Sequence, residues 1–68
     1  MTNLKRIRMA AGLSQSQLAE LSGMSLRSLQ HYEQGSRDIN KAQGLTLLCL
    51  AQALKVTIED ILELKENE

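Results

Sequence analysis

The sequence predicts an all-α fold, a single small domain built from five short helices. Hydrophobic residues make up 43% of the 68 residues, aromatic residues only 1%, and there is no proline. A core of this composition is filled by aliphatic side chains on helices, and no stretch shows the alternating pattern of a strand. One domain of this length is near the smallest size at which an apolar core suffices. We therefore expect residues 1–68 to form one domain of modest stability.

The first predicted helix begins next to Thr2 or Asn3, since either side chain can accept from free backbone amides of a first turn. Residues at helical spacing then share one face: Leu4, Ile7, Arg8 and Ala11. Gly12 follows and tolerates the positive φ at which helices commonly end. A helix over the first eleven residues is the result.

Two further helices are predicted in the middle of the chain. Ser14 can cap the second helix, and Gln17 can reach back to it, which makes a capping box. Gly23 ends this helix, Ser25 caps the third helix, and Gly35 ends the third. Apolar residues share one side of each helix: Leu18, Ala19 and Leu21 on the second, Leu29 and Tyr32 on the third.

The remaining residues predict two supporting helices. After a loop, Asn40 can cap a fourth helix, whose core-facing stripe recurs at i, i+3, i+4 and i+7: Leu47, Leu50, Ala51 and Leu54. Thr57 then caps a short fifth helix with Asp60 in its first turn. Its inward residues are Ile58, Ile61 and Leu62. A charged tail follows at 65–68.

Two helices joined by so few residues cross steeply, as in a helix-turn-helix, whose second helix enters the DNA major groove. The characteristic residues are Leu-Ser-Gln-Ser-Gln-Leu-Ala-Glu-Leu-Ser-Gly-Met-Ser at 13–25, then Ser28, Leu29, Tyr32, Glu33 and Gly35. The chain resembles the Cro/phage-repressor, or xenobiotic-response-element, type of helix-turn-helix domain over residues 4–62. This resemblance implies a lambda-repressor-like fold with its helix-turn-helix at 14–35.

The resemblance also implies which residues read base edges: Leu26, Arg27 and His31, with Gln30 beside them. Arg27 can donate two parallel hydrogen bonds to guanine, a pairing with about 1–3 kcal/mol of discrimination. Leu26 could contact a thymine methyl or equally belong to the core. His31 could donate to guanine or meet a phosphate, and Gln30 could simply be solvated.

Contacts with the DNA backbone are expected from the rest of the motif. Gln15 lies in the first turn of the second helix, where free amides favour an anion, and its counterpart in the resembling family binds phosphate. The other expected phosphate contacts are Ser14, Ser25, Ser28, Ser36, Arg37 and Lys41. For Arg37 and Lys41 a solvated loop edge is the alternative. The family also pairs an arginine late in its first helix with a glutamate before the final glycine, here Arg8 and Glu33.

Charge is distributed unevenly although the formal net charge is zero. Residues 1–41 hold six basic side chains against three acidic ones, a balance of +3, and residues 42–68 hold two against five, a balance of −3. Such asymmetry fits one face meeting phosphate, although ordinary scatter of charge is the alternative. The basic half coincides with the helix-turn-helix.

These features predict a sequence-specific DNA-binding regulator, a repressor, with no enzymatic activity and no cofactor. The antitoxin of a toxin–antitoxin pair is one alternative, and a protein-interaction module with the same fold is another. A single cysteine excludes an internal disulfide, and a lone histidine makes a metal site improbable. We expect a cytoplasmic protein that binds operator DNA as a homodimer. Candidate dimer contacts are Leu45, Leu48 and Cys49, or the C-terminal helix with Leu62 and Leu64.

Overall fold

The computed structural model describes residues 1–64, and its fold is all-α. The predicted charged tail at 65–68 lies outside the described residues. Five α-helices and one 3-10 helix follow in order: α1 Asn3–Ala10, α2 Gln15–Ser22, α3 Leu26–Gln34, the 3-10 helix Ile39–Lys41, α4 Gly44–Leu54 and α5 Ile58–Ile61. The predicted fold class is therefore confirmed.

Each α-helix contributes one completely buried aliphatic side chain to a shared core. These five residues are Leu4, Leu18, Leu29, Leu50 and Ile61. Full burial of a leucine or isoleucine stabilises the fold by about 1.5–3 kcal/mol. The predicted stripe of α4 is buried as a whole: Leu47, Leu50, Ala51 and Leu54. Helices α1, α4 and α5 therefore support the helix-turn-helix, since α1 packs against α3, α4 packs against α2, and α5 packs against α1 and α4.

Side chains and left-handed residues define the helix ends. Ser14 accepts from the amide of Gln17, and the Gln17 side chain accepts in return from the Ser14 amide, so the capping box is present. Thr2, rather than Asn3, caps α1. Helix α2 ends at Gly23, which has a φ of 74°. Helix α4 ends at Lys55, which adopts a left-handed φ of 61° although it carries a side chain.

Asn40 does not cap the fourth helix, contrary to the prediction. It lies in the 3-10 helix, where its side-chain amide donates to the Glu63 carbonyl at 2.8 Å and accepts from the Glu63 amide at 2.9 Å. Helix α4 instead begins after Gln43, whose side chain makes no capping hydrogen bond. Asn40 thereby connects the segment after α5 with the 3-10 helix between α3 and α4. Because this partner is 23 residues away, local spacing gave no indication of it.

Leu21 does not share the buried side of α2 with Leu18 and Ala19, again contrary to the prediction. Its side chain is 61% exposed, whereas Ser22 is buried. The Ser22 hydroxyl donates to the Leu18 carbonyl at 2.7 Å, so its burial leaves the polar group satisfied. The core side of α2 therefore consists of Leu18, Ala19 and Ser22. Among the described residues, none of the helices has the length and hydropathy of a membrane span.

Candidate nucleic-acid interface

Helix α3 faces solvent along the edge that the sequence assigns to base reading. Leu29 and Glu33 are buried on its inner side, whereas Arg27 is exposed and Leu26 is 39% exposed. At this exposure Leu26 is not one of the buried core residues. His31 follows Arg27 by four residues, so the two side chains lie on the same edge one turn apart. The outer edge of α3 is defined here as Leu26, Arg27, Gln30 and His31.

The turn before α3 fixes how this helix leaves α2. Gly23 in the left-handed conformation allows the Met24 amide to donate back to the Ala19 carbonyl at 3.1 Å. This i+5 to i bond closes the end of a helix in a reproducible geometry. Ser25 then accepts from the Ser28 amide at 3.1 Å and starts α3. The outer edge is therefore placed by the local turn as well as by the core.

Behind the outer edge, Arg8 and Glu33 meet. Arg8 Nε donates to Glu33 Oε2 at 2.7 Å and Arg8 Nη2 donates to Glu33 Oε1 at 3.1 Å, a bidentate arrangement. The remaining terminal nitrogen donates to the Leu13 carbonyl at 2.7 Å. The Glu33 side chain is only 1% exposed. Because all three Arg8 nitrogens have protein partners, this arginine joins α1 to α3 rather than offering its charge to a phosphate.

Two glutamines continue this network toward the surface. Gln15 Nε2 donates to Glu33 Oε1 at 3.0 Å, and Gln30 Nε2 donates to Gln15 Oε1 at 3.4 Å. Gln30 is therefore not simply solvated, which was the alternative. The expected phosphate-binding residue of α2 and a residue of the outer edge of α3 are held in one chain of hydrogen bonds. Within residues 1–64, every buried side-chain nitrogen and oxygen has a partner.

A polar groove follows one flank of α3. Its lining residues are Ser25, Arg27, Ser28, His31, Ser36 and Arg37. Arg37 lies over the Tyr32 ring, 5.4 Å from its centroid, and donates to Ser28 Oγ at 3.3 Å. A stacked and hydrogen-bonded guanidinium loses less freedom when it binds an anion than a free one. Arg37 is exposed but held in place, which differs from a freely solvated loop edge.

A second groove follows the opposite flank of α3. Its lining residues are Lys5, Arg8, Ser14, Gln15, Ser16, Leu26 and Gln30. Lys5 was not among the predicted contacts, although its i, i+3 spacing to Arg8 on α1 could have indicated it. The helix therefore stands between two grooves that each carry hydroxyl groups and a lysine or arginine.

Lys41 lies further along the first flank, in a third groove at the start of α4. Its lining residues are Met24, Ser28, Tyr32, Arg37, Asp38, Lys41, Ala42, Gln43 and Thr46. The uncapped first turn of α4 adds free backbone amides next to Lys41. These donors were not predicted, because the cap of α4 was expected at Asn40.

The site contains no feature of a metal centre within the described part of the chain, where no three histidine, cysteine, aspartate or glutamate side chains come together. The grooves beside α3 offer hydrogen-bonding groups and positively charged side chains to a ligand.

Comparisons with curated proteins and with solved structures gave no match. A family model described as helix-turn-helix matches residues 4–61. The match runs from the second residue of α1 to the end of α5 and includes the turn at Gly23 and the whole outer edge of α3. The chain therefore belongs to the Cro/C1-type helix-turn-helix family, whose domains are DNA-binding regulators.

Proposed function

We propose that this protein is a sequence-specific repressor that places α3 in the major groove of an operator. The observation that carries the proposal is the exposed outer edge of α3 between two polar grooves. Helix α3 has nine residues and is about 13 Å long, which corresponds to roughly four base pairs. An α-helix fits the major groove, about 12 Å wide, so the two flanking grooves then face the phosphates of either strand.

Base reading is assigned to the outer edge of α3. Arg27 is exposed and free of any ion pair among the described residues, so its guanidinium can donate to O6 and N7 of a guanine. Leu26, beside it, offers an apolar contact to a thymine methyl. Gln30 is oriented by Gln15, which limits the side-chain entropy lost on binding.

Phosphate binding is assigned to the two flanks. Gln15 and Ser14 stand at the start of α2, where free amides attract an anion. Ser25, Ser28 and Arg37 line the opposite flank, where the Ser36 hydroxyl donates to the His31 carbonyl instead. Lys41 extends this flank towards α4. Such contacts set the position and orientation of the protein on DNA, and they make binding sensitive to salt.

One domain of this size reads too few base pairs for useful specificity, so the proposal includes a homodimer on DNA. Leu45 is 70% exposed and Leu48 is 44% exposed on α4, and Leu64 is 67% exposed after α5. Either apolar surface could join two copies whose α3 helices lie about 34 Å apart, one turn of DNA. A bound dimer would repress by excluding polymerase from the promoter.

Selection of bound sites from a random double-stranded DNA pool tests the proposal. We expect two copies of a short motif about one helical turn apart, and affinity that falls steeply as salt rises. Transcription from a promoter that overlaps the selected site should decrease when the protein is added. Failure to enrich any sequence at low salt would contradict the proposal and favour a protein-interaction role.

A further inference from the structure

His31 and Ser36 form a contact that determines where the imidazole carries its proton. His31 Nδ1 lies 3.0 Å from Ser36 Oγ, and the same hydroxyl donates to the His31 backbone carbonyl at 3.3 Å. A carbonyl oxygen only accepts, and a serine hydroxyl has a single proton. Both hydrogen bonds therefore form together only when Nδ1–H donates to Ser36 Oγ.

The turn that ends α3 holds Ser36 in this position. Gly35 adopts a left-handed φ of 84°, and the Arg37 amide donates to the His31 carbonyl at 3.2 Å. These two features bring the chain back along the last turn of α3, with Ser36 next to the imidazole. Ser36 is thus a positioning residue for His31.

With its proton on Nδ1, a neutral imidazole presents an unprotonated Nε2, which is a hydrogen-bond acceptor. We infer that His31 reads the major groove as an acceptor through Nε2 and selects a base with an exposed amino group. Adenine N6 and cytosine N4 are the two such groups in this groove. This inference rests on the proposed function and names one of its specificity determinants.

An acceptor at this place disfavours the other roles considered for His31. Guanine presents two acceptors in the major groove, and phosphate oxygens are acceptors as well. Neither can pair with an unprotonated Nε2. Arg27, one turn before His31, donates only, so the two side chains read opposite hydrogen-bonding patterns from the same edge of α3.

The tautomer can be measured directly because the chain contains one histidine. Long-range ¹H–¹⁵N correlation spectra at about pH 8, where an ordinary imidazole is neutral, distinguish the two ring nitrogens. We expect a protonated Nδ1 in the free protein and a shift toward protonated Nε2 in Ser36→Ala. A protonated Nε2 in the unaltered protein, or no change in the variant, would overturn the inference.

Site selection with His31→Ala and Ser36→Ala tests the base preference, and Gln52→Ala, an exposed residue of α4, is the control. At one base pair of the motif we expect a preference of about fivefold that depends on His31, as one net hydrogen bond produces. Because every base pair carries one exposed amino group in the major groove, replacing the adenine of that pair with purine, or its cytosine with 2-pyrimidinone, should remove this preference of the unaltered protein. His31→Ala should abolish this preference, Ser36→Ala should reduce it, and Gln52→Ala should leave it unchanged.

Two results would overturn the inference while the proposed function stands. One is an unchanged affinity of the unaltered protein when the base pair that depends on His31 loses its exposed amino group. The other is a uniform loss of affinity in His31→Ala with every preference intact, which would indicate a phosphate contact. If the unaltered protein selects no motif at all, the proposed function fails first, and the tautomer measurement still reports on the His31–Ser36 contact.

Discussion

Helices α3 and α4 bury one side in the same core but present opposite chemistry to solvent. The outer edge of α3 carries Arg27 and His31, flanked by hydroxyl groups, whereas α4 exposes Leu45 and Leu48. Because both helices pack buried residues into this core, packing alone does not determine the chemistry of their solvent-facing sides. A polar edge suits phosphates and bases, and an apolar one suits a protein surface. DNA recognition and self-association should therefore be separable by substitution.

The largest effect is expected from the pair behind α3. Arg8→Ala leaves the buried Glu33 carboxylate without its bidentate partner, at a cost of about 3–5 kcal/mol in the free energy of unfolding. Thermal unfolding should show a decrease of roughly 4–8 °C in Tm for each kcal/mol lost in a domain of this size. Arg6→Ala is the control, since Arg6 is exposed and, within residues 1–64, its side chain donates to Asn3 alone. Equal stability of the two variants would refute the structural role of Arg8.

The next effect concerns base reading by α3. Arg27→Ala should relax the preference for guanine at one motif position by about 1–3 kcal/mol. Arg37→Ala removes a residue assigned to phosphate, so it should weaken binding to all sequences and reduce the salt dependence by about one counterion. Titration of selected and randomised duplexes at several salt concentrations distinguishes a lost base preference from a general loss of affinity. An altered preference in Arg37→Ala, with none in Arg27→Ala, would reverse the assignment.

The apolar side of α4 should affect assembly and leave the fold intact. In Leu45→Glu with Leu48→Glu, two exposed leucines become charged, so a dimer that buries them should dissociate at least tenfold more readily. Sedimentation equilibrium of the free protein and of its DNA complex measures this. Gln52→Glu adds a charge at an exposed position of the same helix and is the control. A monomer on DNA before any substitution would remove the dimer from the account.

The smallest effect lies at the end of α4. Lys55 has a φ of 61°, a conformation that costs a residue with a Cβ about 1–2 kcal/mol relative to glycine. Lys55→Gly relieves this strain and should raise the free energy of unfolding by about 0.5–1 kcal/mol. This net gain is smaller than the strain because glycine also increases the entropy of the unfolded chain. Lys55→Ala keeps the strain and should give no such gain. Urea denaturation of both variants decides the matter.

Features that depend on neighbouring residues were accessible from the sequence. The caps at Ser14, Ser25 and Thr57, the left-handed Gly23 and the core stripe of α4 all follow from local spacing. Leu21 and Ser22 show the limit of this reasoning. Hydrophobicity favours burial of the leucine, but the hydrogen bond from the Ser22 hydroxyl to a carbonyl makes the smaller residue suitable for the interior.

Long-range polar contacts were not accessible in the same way. Asn40 forms hydrogen bonds with the backbone of Glu63, and Gln15 donates a hydrogen bond to Glu33, 18 residues away. No local pattern indicates either contact. The pairing of Arg8 with Glu33 was expected only because the chain resembles a known family. The outer edge of α3 was assigned by the same resemblance, while the contact of His31 with Ser36 depends on the turn that ends the helix.

The central claim is that the outer edge of α3 enters the major groove. Dimethyl sulfate footprinting on a selected site tests it, because the reagent methylates guanine N7 in the major groove and adenine N3 in the minor groove. We expect protection of guanine N7 in each half-site, lost in Arg27→Ala at the guanine that Arg27 contacts. Protection confined to adenine N3, with guanine N7 fully reactive, would contradict the account.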